Sequence, residues 1–154
     1  MDTLALTPYP ITPLKSLAVV TAAALLAASA AAAASPALVQ VSLTDKGMEK
    51  MAMVLSTEQA KAGPVTFQVS NKSESLVHEF IVMKTDLSLD ALPYNQEENE
   101  IKEDSLSSLG EVEDLNPGTS GTLTVDMAPG QYVLLCNKTG HFKAGMVHSF
   151  AVVP

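Results

Sequence analysis

From Ser35 onward, apolar residues recur at every second position in a series of short runs. Val39, Val41 and Leu43 alternate with polar neighbours, as do Met51, Met53 and Leu55, and then Val65, Phe67 and Val69 after the break at Gly63-Pro64. A period of two belongs to a strand that turns one face to a core. Asn71 to Ser75 is a polar turn, and Leu76 to Met83 is an apolar run that carries His78 and Glu79. Leu123, Val125 and Met127 share one face of the run from Gly121. Pro129-Gly130 then turns the chain into Gln131–Cys136, and Val147 to Val153 is the last run. Several short strands punctuated in this way predict an all-β, two-sheet Greek-key sandwich. The roughly 120 residues from Ser35 to Pro154 suffice for one such core, so 35–154 is read as a single domain.

Two stretches depart from the pattern. Met1 to about Ala34 reads as an export signal: Lys15 precedes Leu17-Ala18-Val19-Val20 and an alanine-rich tract, with cleavage candidates at Ala32-Ala33-Ala34 and Ser35-Pro36-Ala37. Cleavage places the protein in the periplasm or elsewhere in the cell envelope, with no membrane span in the mature chain; the alternative is an uncleaved anchor. The second departure is Asp86 to Gly110. Its first part, to Tyr94, reads as a helical turn. Its second part is acidic, with Glu97, Glu98, Glu100, Glu103 and Asp104. Glu111, Glu113 and Asp114 follow. These carboxylates read either as a solvated loop or as a docking face for a basic partner.

Charge narrows the function classes. Lys+Arg is 9 against Asp+Glu 17, a formal net charge of −8, and every basic residue is a lysine. Nucleic-acid binding, which needs a basic footprint, is excluded on this ground.

The candidate chemistry lies in one short connection. Cys136, His141 and Met146 follow one another as C-x4-H-x4-M between the last two predicted strands. Cys136 is the only cysteine, so it forms no internal disulfide and is a metal ligand, a reactive thiol or an intermolecular bridge. Thiolate, imidazole and thioether on one loop, joined by a second imidazole, are the donors of a trigonal Cys/His/His copper site with a weak axial Met. His78, on the apolar run upstream, is the candidate for that second imidazole. Gly140 and Gly145 each precede a proposed ligand and permit close approach of the backbone.

At these residues the sequence resembles the cupredoxins, the small blue copper proteins. The C-x4-H-x4-M spacing is most similar to their azurin, auracyanin and rusticyanin branch. The resemblance implies one copper ion held by His78, Cys136, His141 and Met146, and a one-electron carrier that serves a redox partner. It also implies an exposed edge of His141 inside an apolar rim of Phe142, Ala144 and Gly145. Many family members carry Asn after the upstream His, where it helps tie the two ligand loops together; here the residue is Glu79, a departure from that pattern, and Glu79 and Asn137 are the candidates for contacts just behind the ligands. Amides from Asn137 to Gly140 are candidate donors to the Cys136 sulfur. With no second copper set and no His-x-His pair, no enzyme activity is expected. The alternative function for the same pocket is copper binding and delivery.

The remaining candidates have plainer readings. His148 lies two residues beyond Met146 and reads as a hydrogen-bonded or exposed histidine on the same strand face, with a spare ligand as the alternative. Met51 and Met53 at strand spacing read as core. With Met48 they also match a methionine cluster for Cu(I).

Overall fold

The computed structural model describes residues 35–154; the expected signal peptide, residues 1–34, lies outside them. Among the described residues the strands are β1 (Ala37–Asp45), β2 (Met51–Leu55), β3 (Gln59–Lys61), β4 (Gly63–Asn71), β5 (His78–Lys84), β6 (Tyr94–Asn95), β7 (Glu100–Ile101), β8 (Ser107–Leu115), β9 (Ser120–Met127), β10 (Gly130–Leu135) and β11 (Val147–Val153). None of the described helices is long and apolar enough to cross a membrane.

One sheet has the order β2-β1-β4-β9 and the other β3-β11-β10-β5-β8, while β6 and β7 pair as a small hairpin. The chain alternates between the sheets, so β1 meets β4 in parallel and β11 meets β3 in parallel, and the other pairs are antiparallel. The result is the expected all-β sandwich. Its core is built from the alternating residues: Val39, Val41, Leu43, Val65, Phe67 and Val69 from one sheet meet Phe80, Val82, Tyr132, Leu134, Phe150 and Val152 from the other. The Phe67 ring centroid lies 5.2 Å from that of Phe80 and 5.6 Å from that of Phe150. Burial of each such ring contributes roughly 2–3 kcal/mol. Met51 and Met53 are buried in this core.

The stretch from Asp86 to Gly110 is not simply a solvated loop. Phe80, Ile81, Val82 and Met83 are all buried, although only every second one can face the sandwich interior. Ile81 and Met83, with Val133 and Leu135, point to the outer face. There Leu92, Ile101 and Phe142 cover them as a second, smaller core. The acidic residues line the outside of this cap. The expected helical turn is a single 3-10 turn at Leu89–Ala91.

Strand β8 was not expected. Its acidic sequence offers little alternation, and its pairing with β5 shifts register between His78 and Phe80 and between Val82 and Met83. A bulge displaces the apolar positions from strict period two, which hides the strand from a periodicity argument.

Candidate metal centre

Strand register sets most of the site. In the β10–β5 pair Leu135 lies opposite Ile81, and in the β10–β11 pair Leu135 lies opposite Val147. One step further along, Cys136 falls opposite Phe80 and opposite Met146, and the Cys136 amide donates to the Met146 carbonyl at 3.0 Å. Side chains opposite one another share a face, and His78, two residues before Phe80, shares it too. The polar turn before β5 delivers His78 to that level. Asn71 Nδ2 donates to the carbonyls of Leu76 and Leu115, both at 2.8 Å, and its Oδ1 accepts the Ser73 amide at 2.8 Å.

The ligand loop completes the site. His78 Nδ1 lies 3.1 Å from His141 Nδ1, and Cys136 Sγ lies 3.3 Å from His141 Nδ1 and 3.8 Å from His78 Nδ1. These three side chains are buried together with their donor atoms within 4.8 Å of one another. Such spacings suit a single ion bound at about 2.0 Å from nitrogen and 2.3 Å from sulfur. Of the four expected ligands, His78, Cys136 and Met146 are fully enclosed, whereas His141 is 5% exposed and so alone reaches the surface. The Met146 side chain packs in the main core with Cys136.

Burial governs the electrostatics. It pushes the Cys136 thiol up to about 11, against the hydrogen bonds from the backbone at Glu79 and Lys138, which favour the thiolate. Such a thiol keeps its proton at neutral pH unless a cation replaces it. Burial also depresses His141 to about 4, helped by the neighbouring His78. Its ring is therefore neutral, with a lone pair to give, over the physiological range. Two imidazole nitrogens and one sulfur form a borderline-to-soft donor set that fits copper or zinc rather than magnesium or calcium.

Glu79 ties the two segments together, as a carboxylate. Its Oε1 accepts the Asn137 amide at 2.8 Å, its Oε2 lies 3.2 Å from Lys138 Nζ, and its own amide approaches Cys136 Sγ at 3.3 Å. Lys138 Nζ also meets Asp114 Oδ1 at 2.6 Å, and these two carboxylates hold its pKa above the usual lysine range. Of the expected amide donors, Lys138 serves the Cys136 sulfur, whereas Asn137 donates to Glu79 and Gly140 to the Asn99 carbonyl at 2.9 Å.

The acidic segment clamps the loop. The Asn137 side chain accepts the Ile101 amide at 2.7 Å and donates to the Ile101 carbonyl at 3.0 Å and to Glu103 Oε1 at 2.7 Å. Thr139 Oγ1 donates to Glu100 at 2.8 Å. On the other side the Met51 amide donates to the Ala144 carbonyl at 2.9 Å. At Gly145, φ is +106° and a Cβ would stand 2.8 Å from the Met51 carbonyl oxygen, so this position needs glycine.

One expectation changes here, and two lesser alternatives fall away. Phe142, expected on an exposed rim, is buried and packs beside Tyr94, with ring centroids 5.9 Å apart, its ring covering the second core. His148 does not join the cluster. Its Nδ1 lies 2.8 Å from the Ser149 carbonyl and its Nε2 lies 3.7 Å from Glu58. Met48 is exposed with its methyl group near Gly140, apart from the buried Met51 and Met53. Asp45, 3.2 Å from His78 Nε2, is a site residue that nothing in the sequence signalled, because it lies 33 positions from His78 and on a strand of the other sheet.

No protein-family model and no curated protein matches the chain. Solved structures do. The reduced auracyanin of Roseiflexus castenholzii is 24% identical, with a TM-score of 0.56 over 79% of this chain and 99% of its own. Auracyanin A of Chloroflexus aurantiacus, described as a blue copper protein, is 23% identical, with a TM-score of 0.51 over 75% of this chain and 99% of its own. Rusticyanin of Thiobacillus ferrooxidans is 16% identical, with a TM-score of 0.56 over 77% of this chain and 79% of its own. With the strand order and the buried His78/Cys136/His141 cluster, these likenesses establish that the chain has the cupredoxin fold.

Proposed function

We propose that the protein is an exported one-electron carrier, not an enzyme, that holds a single copper ion between His78 Nδ1, Cys136 Sγ and His141 Nδ1, with the Met146 thioether as a weak fourth donor. The observation that carries this reading is the convergence of one thiol and two ring nitrogens in a buried pocket at one end of the sandwich. Auracyanin A, which has the same fold, is a blue copper protein, and this supports copper over zinc. Copper supplies a Cu(II)/Cu(I) couple, and a site of two nitrogens, one thiolate and a weak thioether suits both states moderately.

The chain's own groups do the rest. Cys136 gives up its proton on binding. The sheet register and the clamped loop hold the donors in place, so little has to move when an electron arrives. The apolar core around Cys136 and Met146 keeps water out. The His141 edge is the point of electron entry and exit, since it alone of the four reaches the surface. The exposed carboxylates of the β6–β7 hairpin and the turn after it, beside the ligand loop, offer a negative docking face to a redox partner with a basic one.

The visible and electron-paramagnetic spectra of the copper-loaded protein test the assignment. An intense thiolate-to-copper band that disappears in Cys136→Ser is the expected result; a colourless wild type, or a coloured Cys136→Ser, overturns it. Reversible cycling with the metal retained separates a carrier from a delivery protein, which would release Cu(I) to an apo acceptor.

A further inference from the structure

The ring of His78 has a second neighbour that the ligand pattern does not announce. Asp45, at the end of β1, places Oδ2 3.2 Å from His78 Nε2, on the side of the ring away from Cys136 and His141. β1 and β5 belong to different sheets, so the contact spans the sandwich. The Asp45 side chain is 6% exposed. Its Oδ1 accepts the Gly47 amide at 3.0 Å. Burial disfavours its charge, yet the hydrogen bonds with Ser73, His78 and Gly47 together hold its pKa below the usual value. Among the described residues the one ion-pair partner within 4.0 Å of this carboxylate is His78 itself.

An imidazole has one proton to place when neutral, and the partner of one nitrogen decides which nitrogen carries it. A carboxylate accepts only, so it selects the Nε2–H form and leaves the Nδ1 lone pair directed at Cys136 and His141. A carboxylate behind a metal-bound imidazole also raises the basicity of the ligating nitrogen. Its negative charge acts more strongly on a doubly than on a singly charged ion at the same distance.

We propose that Asp45 is a positioning residue of the metal centre, whose carboxylate fixes the His78 tautomer and favours the oxidised over the reduced ion. The effect on the two oxidation states rests on the copper reading above; the tautomer does not. This assigns to β1, a strand that carries none of the ligands, a share in setting the reduction potential.

Asp45→Asn keeps the size and an accepting oxygen while removing the charge. Affinities of wild type and variant for Cu(II) and Cu(I) are measured separately, alongside the potential. The Cu(II) affinity falls 10–100-fold, that for Cu(I) falls less, and each tenfold change in their ratio raises the potential by about 59 mV. A purely structural role for Asp45 weakens both ions alike, and an unmoved ratio overturns the proposal. Should Asp45→Asn fail to fold, the tautomer measurement that follows, made on the wild type, still decides the proposal. Nitrogen-15 NMR of His78 in the copper-free wild type is the second arm. An Nε2–H ring is expected, and an Nδ1–H ring overturns the proposal whatever the metal does. A wild type without thiolate–copper colour refutes the copper reading instead, and the NMR result keeps the two failures apart.

Discussion

His78 and His141 contribute equivalent nitrogens to one cluster, but they are held by different means. His78 sits at the first residue of β5, where ladder hydrogen bonds to β10 and β8, and the buried Phe80 two residues on, fix its height and face. His141 sits in a loop of nine residues between Cys136 and Met146. Side chains hold that loop, through Asn137 on Ile101, Thr139 on Glu100 and Glu79 on the Asn137 amide. The first donor is positioned by the lattice and therefore by the stability of the whole sandwich. The second is positioned by a handful of polar contacts, most of them with a segment outside the two main sheets. The two halves should fail separately.

Phe80→Ala strikes the lattice half. It empties a core position against Phe67 and costs about 3–5 kcal/mol of unfolding free energy; a loss below about 1 kcal/mol in denaturant melts would contradict the role given to β5. Acid comes next and acts on the loop half. His141 is depressed to about 4 from an ordinary 6.5, so between these values the unfolded chain binds the more protons and stability falls with falling pH. The copper-free protein loses up to about 3 kcal/mol between pH 7 and 4, and His141→Gln flattens that slope. At the alkaline end Cys136, raised to about 11 from 9.0, has the opposite sign: the unfolded chain ionises first, and stability declines as pH rises from 9 toward 11.

Asn137→Ala breaks the clamp. It leaves the buried Ile101 amide without its acceptor and costs about 1–3 kcal/mol. Amide exchange at Ile101 and Gly140 should quicken while that of β5 stays slow. Equal acceleration in both places would abolish the distinction between the halves. The smallest structural effect is expected from Glu97→Gln, Glu98→Gln and Asp104→Asn together. These exposed groups should change stability by less than about 0.5 kcal/mol. Electron transfer to a basic partner should slow and lose much of its salt dependence; an unchanged rate at low salt removes the docking face.

The two halves were unequally legible. Alternation exposed β1, β2, β4 and β9, because each turns one side to the core and the other to polar surroundings, and apolar runs exposed β5, β10 and β11. The C-x4-H-x4-M spacing exposed the loop donors, because a thiol at a strand end followed by an imidazole and a thioether has few other uses. β8 was hidden by its carboxylates and its bulge. The cap was hidden because Leu92, Ile101 and Leu106 are spread among acidic residues with no period. Phe142 was expected at the surface, and its inward turn depends on Tyr94, a partner almost fifty residues away.

The order of residues by itself determined that the chain makes a β-sandwich and that Cys136, His141 and Met146 arrive together, since strand period and short loop closure are local properties. Only the tertiary structure decided that His78 stands 3.1 Å from His141, that Glu79 answers Asn137, and that Asp45 reaches the far side of the His78 ring. Those contacts join different strands and sheets, and their distances follow from how two twisted sheets pack, which no local pattern encodes.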